Sequence, residues 1–413
     1  MNSATCPRPS APASSGDSTN PKEPRHGPVE AQRPIRRPAP STPPDIVLVR
    51  PATRADTDAL TRIARQVGIG HSQPAEVADD IDFSQALIAG QSPWHQGPLY
   101  LCSEAISAGT LERRGVVGQC KLEVMAAGAW KRQARKRRFI VGREPITADY
   151  EQLEYDAGPQ HAMEFAANAV SKDHRGLGIG SMHIRSRLLL LRHLLRKLSH
   201  IETVCSVTLT QEDTSASTPD ALVYPFYEHA VRAFFGGRAF DEVDRLRYKN
   251  RARDGSVQFV GEFLQSAGEH DPFRAIPCHL LPDHVRSALG SVRASAERTH
   301  AFFLKLGFKH HGRYDVLDGS QVLELPRDHF EAVCRVETFV ARSDKNVPPD
   351  APQRVFMVQP QQGKDFDISR FRCVRAPVVE DRGELHVRKE VLGLIDARDG
   401  TMLESLLPGD EGA

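Results

Sequence analysis

The chain has 413 residues, enough for two or three domains, and its 26% charged and 40% hydrophobic residues are ordinary globular usage. Lys and Arg number 54 against 53 Asp and Glu, and the resulting net charge of +1 argues against a dedicated nucleic-acid-binding protein. No run of eighteen apolar residues predicts a membrane span. Seven scattered cysteines without a Cys-x-x-Cys pair argue against a disulfide framework and most structural zinc sites, and predict a cytoplasmic location.

Residues 1–44 are predicted to be a disordered tail, because they contain eleven of the 29 prolines and almost no aliphatic side chains. Such a segment cannot bury enough apolar surface to offset the entropy lost on ordering. Its arginines leave a transit peptide as the alternative, although the prolines would break the amphipathic helix that such a peptide needs.

The fold is predicted to begin with a short strand at Ile46–Pro51 and a helix that continues to about Arg65. Thr53 or Asp56 can cap the start of this helix, since both side chains accept hydrogen bonds from backbone N–H groups. Two strand-like runs, at 99–102 and 115–124, follow with a Gly- and Arg-bearing turn between them and predict a hairpin.

A basic run follows the hairpin and has two interpretations. It could attract a phosphorylated or acidic ligand, or it could be a solvated loop or an edge strand, which is the more common use of such a run. A weaker idea combines it with the tail as a nucleic-acid interaction module. The basic residues are Lys131, Arg132, Arg135, Lys136, Arg137 and Arg138.

The most informative stretch runs from Met163 to Leu198. It predicts a strand at 163–170, a turn at 171–174, a glycine-rich loop at 175–180 and a long helix from Ser181. Leucine and isoleucine recur at helical spacing on one face of that helix. Four basic residues are expected largely off this face, namely Arg185, Arg192, Arg196 and Lys197.

The remaining elements are shorter. The pattern predicts a strand at 203–208, a loop at 210–219, helices at 225–235, 284–289 and 296–306, a strand at 257–264 and a hairpin of 309–316 with 321–325. After Val333, short strands at 356–358, 371–375 and 384–387 predict a small β-rich unit. The predicted organisation is therefore a tail at 1–44, a main domain at 45–333 and a C-terminal domain at 334–413.

The glycine-rich loop is the feature that points to chemistry. Gly176, Gly178 and Gly180 let the backbone approach a ligand, and the first N–H groups of the following helix have no partner within the helix. A helix N-terminus of this kind favours an anion, and Arg175 can add a fork of donors to phosphate.

Four readings of this loop compete. A dinucleotide-binding loop would have Gly-x-Gly-x-x-Gly spacing and an acidic residue about twenty positions later, which is not the pattern here. A Walker loop would end in Gly-Lys-Ser or Gly-Lys-Thr. The Arg-x-x-Gly-x-Gly spacing after a strand suits the pyrophosphate of coenzyme A. A tight strand-to-helix connection without a ligand is the remaining reading.

The loop and a late helix together resemble the GNAT acyltransferase superfamily. Arg175–Gly180 resembles its acyl-CoA pyrophosphate loop, and Ala301–Phe308 resembles its late helix ending in Gly-Phe. Collinear segments from about residue 46 to 395 are more similar to one branch, the arginine N-succinyltransferase family. These segments include Val47–Asp56, Tyr314–Glu324 and the C-terminal strands.

This resemblance implies an α+β fold with a GNAT-like mixed twisted sheet flanked by helices. A splayed strand, here Met163–Val170, would hydrogen-bond the pantetheine arm of succinyl-CoA, and Asn168 and Val170 would contact this co-substrate. The family moves a succinyl group from succinyl-CoA to the α-amino nitrogen of arginine in a catabolic route. The resemblance implies no permanently bound cofactor and no metal. It leaves open whether the protein forms homo- or hetero-oligomers.

Three positions depart from the family pattern. Arg293 occupies the place of the family's proton-donating His in an ungapped match, and arginine cannot donate a proton at neutral pH. Asn168 replaces a Leu on the splayed strand, and Phe303 replaces the tyrosine that many GNAT enzymes use to reprotonate the CoA thiolate. The departures affect the expected chemistry more than the expected fold.

Other residues could replace the missing groups. Arg293 could stabilise an oxyanion or hold a carboxylate, and His300, seven residues later, would share its face if the helix extended that far back. Glu164 could act as a base, and each residue also has a plain surface role as its alternative. Weaker candidates are His174 beside the loop, and Tyr227, Glu228 and His229, which suggest packing first.

The sequence therefore predicts a cytoplasmic acyl-CoA-dependent N-acyltransferase, with succinyl-CoA as donor and arginine or another basic amino acid as acceptor. Attack would be direct, since no cysteine lies in a recognisable nucleophile setting. Arg293 motivates the alternative, a non-catalytic or altered-specificity family member or subunit that binds a CoA ester.

Overall fold

The computed structural model describes residues 46–67, 73–94, 97–125, 131–141, 146–156, 162–208, 224–249, 275–361 and 366–406. The predicted tail at 1–44, the predicted loop at 210–219 and the predicted strand at 257–264 lie outside these residues. Among the described residues, no helix combines the length and apolar character needed to cross a membrane.

The described strands form one mixed sheet. They are β1 (Ile46–Pro51), β2 (Leu99–Ile106), β3 (Arg113–Met125), β4 (Lys131–Val141), β5 (Ile146–Asp156), β6 (Ala162–Val170), β7 (Thr203–Thr208), β8 (Ala275–Pro277), β9 (Lys309–Asp315), β10 (Gln321–Pro326), β11 (Val336–Ser343), β12 (Gln353–Val358), β13 (Cys373–Pro377), β14 (Val379–Asp381), β15 (Glu384–Val387) and β16 (Met402–Leu406).

The order across the sheet is β14-β15-β11-β16-β12-β13-β1-β2-β3-β6-β7-β10-β9-β4-β5-β8. The pairs β6/β7 and β11/β15 are parallel, and the other described pairs are antiparallel. A mixed sheet with flanking helices is therefore confirmed.

The described helices are α1 (Thr57–Val67), α2 (Pro74–Ile88), α3 (Ile179–Lys197), α4 (Phe240–Lys249), α5 (Asp283–Ala288), α6 (Glu297–Lys305), α7 (Arg327–Val333) and α8 (Lys389–Leu394). The segment predicted as a helix at 225–235 contains a π-helical turn, Tyr227–Val231, and a 3₁₀ turn, Arg232–Phe235. The other predicted helices among the described residues are confirmed to within a few residues.

The entry into α1 follows the predicted capping. The carboxylate of Asp56 accepts hydrogen bonds from the backbone N–H of Thr53 at 2.8 Å and from the Thr53 hydroxyl at 2.9 Å. Arg50 on β1 donates to the same carboxylate at 2.8 Å and also pairs with Glu104 on β2. The start of α1 is thereby fixed to the first two strands.

The long helix α3 is buried on nearly all sides, and fourteen of its nineteen residues are buried. Its leucines pack on β1, β3 and β6, and it also contacts β12, β16 and α6. Arg185, expected off the leucine face, is nevertheless not exposed to solvent. Arg185 is buried, with its guanidinium 5.6 Å from the ring centre of Phe302, because α6 covers the face that the sequence pattern left to solvent.

The opposite face of the sheet is covered near β2 and β3 by α1 and α2, where Leu60, Val77 and Ile81 pack against Tyr100 and Cys102. A second apolar cluster surrounds the 225–235 segment and β8. A third lies among the C-terminal strands and α8. The division at residue 333 stays a prediction, although the described strands on both sides of it belong to one sheet and one compact unit.

The basic run forms β4 and is therefore not a loop. β4 lies between β9 and β5 in the sheet, but among the described residues only its first three have ladder partners on β9. β4 pairs with β5 over its whole length and with β9 through Lys131, Arg132 and Gln133. The sequence could not indicate this, because β9 is supplied from more than 170 residues later in the chain.

The C-terminus of α3 is held by Arg327, the first residue of α7. Its Nη1 donates to the carbonyls of Leu198, Ser199 and Ile201 at 2.8, 3.0 and 3.1 Å, and its Nη2 donates to the carbonyl of Leu195. The last carbonyls of a helix lack partners within the helix and carry the negative end of its dipole. The guanidinium donates hydrogen bonds to these carbonyls, and its positive charge interacts favourably with the negative end of the dipole.

We expect Arg327→Met to lower the free energy of unfolding by about 2 kcal/mol, because several carbonyls lose a charged donor at once. Urea denaturation followed by circular dichroism measures the change. The control is Arg286→Met on α5, which removes an exposed i,i+3 ion pair with Asp283 and should cost under about 0.5 kcal/mol. Equal losses in the two variants would contradict the capping role.

Candidate active site

The glycine-rich loop connects β6 to α3. A 3₁₀ turn at Lys172–His174 follows β6, and the Ser171 hydroxyl lies 2.8 Å from Nδ1 of His174. Gly176 and Gly178 have φ angles of +82° and +74°, which side-chain-bearing residues rarely adopt. The loop is exposed, and it therefore presents its backbone to solvent at the start of a nineteen-residue helix.

The first N–H groups of α3 are available at this loop. Gly178 is the N-cap, and the N–H of Met182 makes the first helical hydrogen bond, to the carbonyl of Gly178. The N–H groups of residues 179–181 have no acceptor within the helix. Gly180 lies inside α3, so the loop predicted at 175–180 ends two residues earlier, at Gly178. A Cβ at Gly180 would meet only Nδ2 of Asn168, at 4.0 Å.

Arg175 reaches back over the loop, with Nε 3.5 Å from the carbonyl of Val170 at the end of β6. Val170 is half-buried, and Arg175 is exposed. The predicted group of Val170, Arg175 and the loop glycines is therefore in one place, as its closeness in sequence requires. His174 lies in the same turn, and its described contact is the Ser171 hydroxyl.

The strands β6 and β7 separate after a short parallel ladder. They pair only from Ala162 with Thr203 to Glu164 with Cys205. Within the described part of the chain, residues 165, 166, 169 and 170 keep ladder partners on β3, but none of residues 165–170 has one on β7. Glu164 is half-buried and lies at the point where the two strands part. The strand expected to be splayed thus has an open edge that leads toward the glycine loop.

A bulge interrupts β6 beside this opening. The register with β3 shifts between Gln119 and Lys121, and Ala167 has a φ of +48°. A bulge changes which face of the sheet the following side chains occupy. Asn168 therefore faces α3, where its Oδ1 lies 2.7 Å from Nδ1 of His183 and its Nδ2 lies 3.5 Å from the carbonyl of Gly180.

His183 on α3 is the centre of a buried network of polar side chains that the sequence pattern did not predict. The ring is fully buried, and its Nε2 lies 2.9 Å from the hydroxyl of Ser103 on β2. Burial, with smaller contributions from the charges of Arg187 and Arg375, lowers the pKa of His183 to about 3. A neutral ring that donates from Nδ1 to Asn168 and accepts at Nε2 from Ser103 fits both contacts.

Arg187, one turn later on α3, secures the bulge. It is fully buried, and its Nη1 donates to the carbonyls of Lys121 and Ala166 at 3.0 and 3.1 Å, on the two strands where the register shifts. Its guanidinium also lies 4.7 Å from the ring centre of Phe165. Burial lowers the pKa of Arg187 from its usual range. The sequence reading did not single out this arginine, because it is one of several in a basic helix.

The other predicted catalytic residues lie on a second group of elements. His300 on α6 is half-buried, with Nε2 2.7 Å from Oε1 of Gln321 on β10. Arg293 is half-buried in the connection before α6. The condition that the helix extend back to Arg293 is not met, because α6 begins at Glu297 and Arg293 precedes it in a turn.

Phe303 connects the two groups. It is buried on α6, and its ring centre lies 5.6 Å from that of Phe165 on β6 and 4.9 Å from that of Phe308. Phe303 is therefore a core residue between α6 and the opened strand. A hydroxyl at this position would need its own hydrogen-bond partner in an apolar cluster.

His310 on β9 is a further titratable group that the sequence reading missed. Its Nδ1 lies 3.2 Å from the carbonyl of Val322, and its ring centre lies 5.0 Å from that of Tyr314. Burial lowers the pKa of His310, and the charges of His311 and His300 contribute to the lowering. The signal available in the sequence was the histidine pair His310-His311, which follows Gly307-Phe308 after one lysine.

The weaker candidates lie together at the 225–235 segment. Tyr227 is buried and donates to the carbonyl of Arg238 at 3.0 Å, so packing accounts for it. Glu228 pairs with Arg232 at 2.5 Å, and His229 lies 3.1 Å from His284 on α5. Among the residues that the structure describes, no group of three or more His, Cys, Asp or Glu side chains is placed to hold a metal ion.

The buried, neutral His183 predicts a pH dependence of stability. Its pKa of about 3 lies below the unfolded value of about 6.5, so the unfolded chain binds one more proton between these values. The free energy of unfolding should therefore fall by about 1.4 kcal/mol per pH unit as the pH drops below 6.5 on account of this residue.

The measurement is urea denaturation of the wild-type protein and His183→Gln between pH 7 and pH 4.5. The variant should show a flatter dependence, whatever its absolute stability. His329→Gln, at an exposed position of α7, is the control and should retain the wild-type slope. An unchanged slope in His183→Gln would show that the ring takes up its proton as readily in the folded protein as in the unfolded chain.

One solved structure, that of arginine/ornithine succinyltransferase subunit AI from Pseudomonas aeruginosa, aligns with a TM-score of 0.65 at 16% identity and covers 88% of this chain and 99% of that chain. Its fold is therefore similar to this one. Ard1 from Thermoplasma volcanium aligns with a TM-score of 0.21 at 14% identity over 41% of this chain and 75% of that chain, which is too weak to bear on the fold.

No curated protein matches the chain. A family model described as arginine N-succinyltransferase beta subunit matches residues 47–332, which is more than half of the 413 residues. The matched range includes β6, the glycine-rich loop, α3 and α6. The chain belongs to the arginine N-succinyltransferase beta subunit family.

Proposed function

We propose that this protein is an acyl-CoA-dependent N-acyltransferase with a GNAT-like catalytic core, and that it transfers the succinyl group of succinyl-CoA to the α-amino group of arginine or a related basic amino acid. The family supports the acyltransferase class. The carrying observation is the opened strand pair β6/β7, which leads from Glu164 to the glycine-rich loop at the start of α3.

The two ends of this opening suit the two ends of an acyl-CoA. The positive end of α3 and the N–H groups of residues 179–181 suit the diphosphate. Residues 165–170 of β6 offer backbone groups on the β7 side, where the described chain supplies no ladder partner, and these suit the amides of the pantetheine arm. The thioester would then lie beside Glu164, where the strands meet.

Direct attack of the amine on the thioester agrees with the state of the cysteines. All six described cysteines are buried. Burial raises the pKa of the Cys120 thiol to about 11 and that of Cys334 to about 12. A thiol that stays protonated is a poor nucleophile, so an acyl-cysteine intermediate is disfavoured.

The chemistry needs a base, an acid and an anion-stabilising group. In this proposal, Glu164 removes the proton of the attacking ammonium, directly or through water. His300 protonates the CoA thiolate. Phe303, at the position of the tyrosine that many GNAT enzymes use for this step, has no proton to donate. Arg293 carries a permanent charge and holds the oxyanion or the carboxylate of the acceptor. The cytoplasmic location and the oligomeric state stay predictions.

The experiment is a thiol-release assay with a panel of acyl-CoA donors and amino-acid acceptors, with the product identified by mass spectrometry. Succinyl-CoA with arginine should give the highest kcat/KM. Glu164→Gln and His300→Gln should each lower kcat by roughly 10²-fold or more, whereas His329→Gln should leave it unchanged. Release of thiol only with another donor or acceptor would refute the substrate assignment.

Arg293 supports a second candidate function, a CoA-ester-binding subunit without transferase activity of its own. Such a protein would be stabilised against heat by succinyl-CoA, since a ligand that binds only the folded state raises the midpoint of unfolding. It would nevertheless release no thiol with any amino acid of the panel. The two measurements together therefore separate the two functions.

A pair of glycine substitutions tests the diphosphate site. A Cβ at Gly180 lies 4.0 Å from Asn168 and otherwise enters open space, so Gly180→Ala should keep or raise the melting temperature, because Ala favours a helix over Gly. It should raise the KM for succinyl-CoA about tenfold, which corresponds to about 1.4 kcal/mol, by occupying space that the diphosphate needs.

Gly178→Ala should raise the same KM and also lower the melting temperature, because φ is +74° and the new Cβ would lie 2.6 Å from Nη1 of Arg375. Gly393→Ala is the control, since Gly393 lies in α8 and its Cβ would meet nothing within 4 Å. An unchanged KM in Gly180→Ala would place the diphosphate elsewhere.

A further inference from the structure

We propose that Arg375, on the C-terminal strand β13, is a positioning residue for the diphosphate of the acyl-CoA. Its guanidinium fixes the peptide between Leu177 and Gly178 so that the N–H of Gly178 faces the anion. This inference rests on the proposed function and adds to it a residue from beyond position 332, where the family match ends.

Apolar packing alone does not account for an arginine at position 375 of the sheet. In its ladder, Arg375 is paired with Val47 on β1 and Val355 on β12. Side chains alternate between faces along a strand, so Arg375 shares a face with Cys373, which belongs to the central apolar core around α3. An arginine in such a row is rarely placed there for burial. Its guanidinium reaches past the core to the glycine-rich loop, and this contact explains the position of Arg375 in the row.

The contact at that rim is specific. Nη1 of Arg375 donates to the carbonyl of Leu177 at 2.7 Å, across 198 residues of sequence. In a trans peptide the C=O and the following N–H point to opposite sides. Drawing the Leu177 carbonyl toward β13 therefore turns the N–H of Gly178 away from β13, to the outer side of the loop.

The loop needs an external constraint of this kind. Gly176 and Gly178 both have positive φ, and glycine loses more conformational freedom on ordering than any other residue. The Leu177 side chain between them is 46% exposed, so apolar packing holds it only weakly. A loop that is ordered before the ligand arrives binds it more tightly, because the ordering entropy is lost during folding and not during binding.

The charge of Arg375 also extends to the first turns of α3, where it contributes to lowering the pKa of His183. Its electrostatic effect on an anion at the start of α3 has the same sign as that of the helix dipole. A cation beside the loop therefore favours the diphosphate as well as orienting the backbone. Both effects depend on a strand that the residues after 333 supply.

The test compares CoA with pantetheine, which lacks the diphosphate and the nucleotide. Binding of each is measured by isothermal titration calorimetry to the full chain as wild type, Arg375→Met, Arg375→Lys and Arg342→Met. Arg342 lies on β11, with β16 and β12 between it and β13, and pairs with Glu384. It controls for the loss of one positive charge.

Arg375→Met should weaken CoA binding at least tenfold and leave pantetheine binding unchanged, so that the preference for CoA falls. Arg375→Lys retains a charged donor and should recover part of the preference, and Arg342→Met should match the wild type. In turnover, Arg375→Met should raise the KM for succinyl-CoA with little change in kcat. If Arg375→Met does not fold, a lower CoA preference in Arg375→Lys than in the wild type is the expected result.

Equal loss of affinity for CoA and pantetheine, or wild-type preference in both Arg375 variants, would overturn the inference. A wild-type protein that binds CoA through Arg375 but transfers no succinyl group would contradict the proposed reaction and keep the inference. Succinyl transfer with a KM for succinyl-CoA that is unaffected by Arg375→Met would contradict the inference and keep the proposed reaction. A wild-type protein without preference for CoA over pantetheine would overturn both.

Discussion

The arrangement of the site depends on a buried cation beneath an irregular strand. Arg187 is fully buried, and it donates to carbonyls of Lys121 and Ala166 on the two strands that change register. A bulge leaves backbone groups outside the regular ladder, and buried polar groups without partners are costly. One guanidinium with several donors in a fixed fork can satisfy them from a single helix position. The cost of burying its charge is offset by these bonds and by the ring of Phe165 beside it.

The bulge in turn couples the opened strand to α3. It directs Asn168 toward the helix, where the side chain contacts both His183 and the carbonyl of Gly180. The first turn of α3, which carries the N–H groups proposed to bind the diphosphate, is therefore held by the same strand whose edge is proposed to bind the pantetheine arm. Because both binding surfaces meet at Asn168, a single rigid unit would position the thioester relative to Glu164.

Local patterns in the sequence predicted the parts of the fold that depend on local interactions. The start of α1 follows from hydrogen bonds among Thr53 and Asp56, and the end of α6 at Gly307 follows from a φ of +87° that glycine accepts readily. The glycine-rich loop was predicted for the same reason. The bulge at Ala167 was not, because one extra residue changes which face Asn168 occupies without leaving a compositional mark.

Contacts between distant segments account for the other features that the sequence did not predict. His183 and Arg187 look like ordinary polar residues of a basic helix until Ser103 and the β3 and β6 carbonyls are placed beside them. Arg375 could not be connected to Leu177 by any sequence pattern, since 198 residues separate them. The family match ends before β13, yet β13 supplies the side chain that contacts the glycine loop. The C-terminal strands are therefore part of the physical environment of the proposed diphosphate site, and variation in them should alter co-substrate affinity as directly as variation in the loop itself.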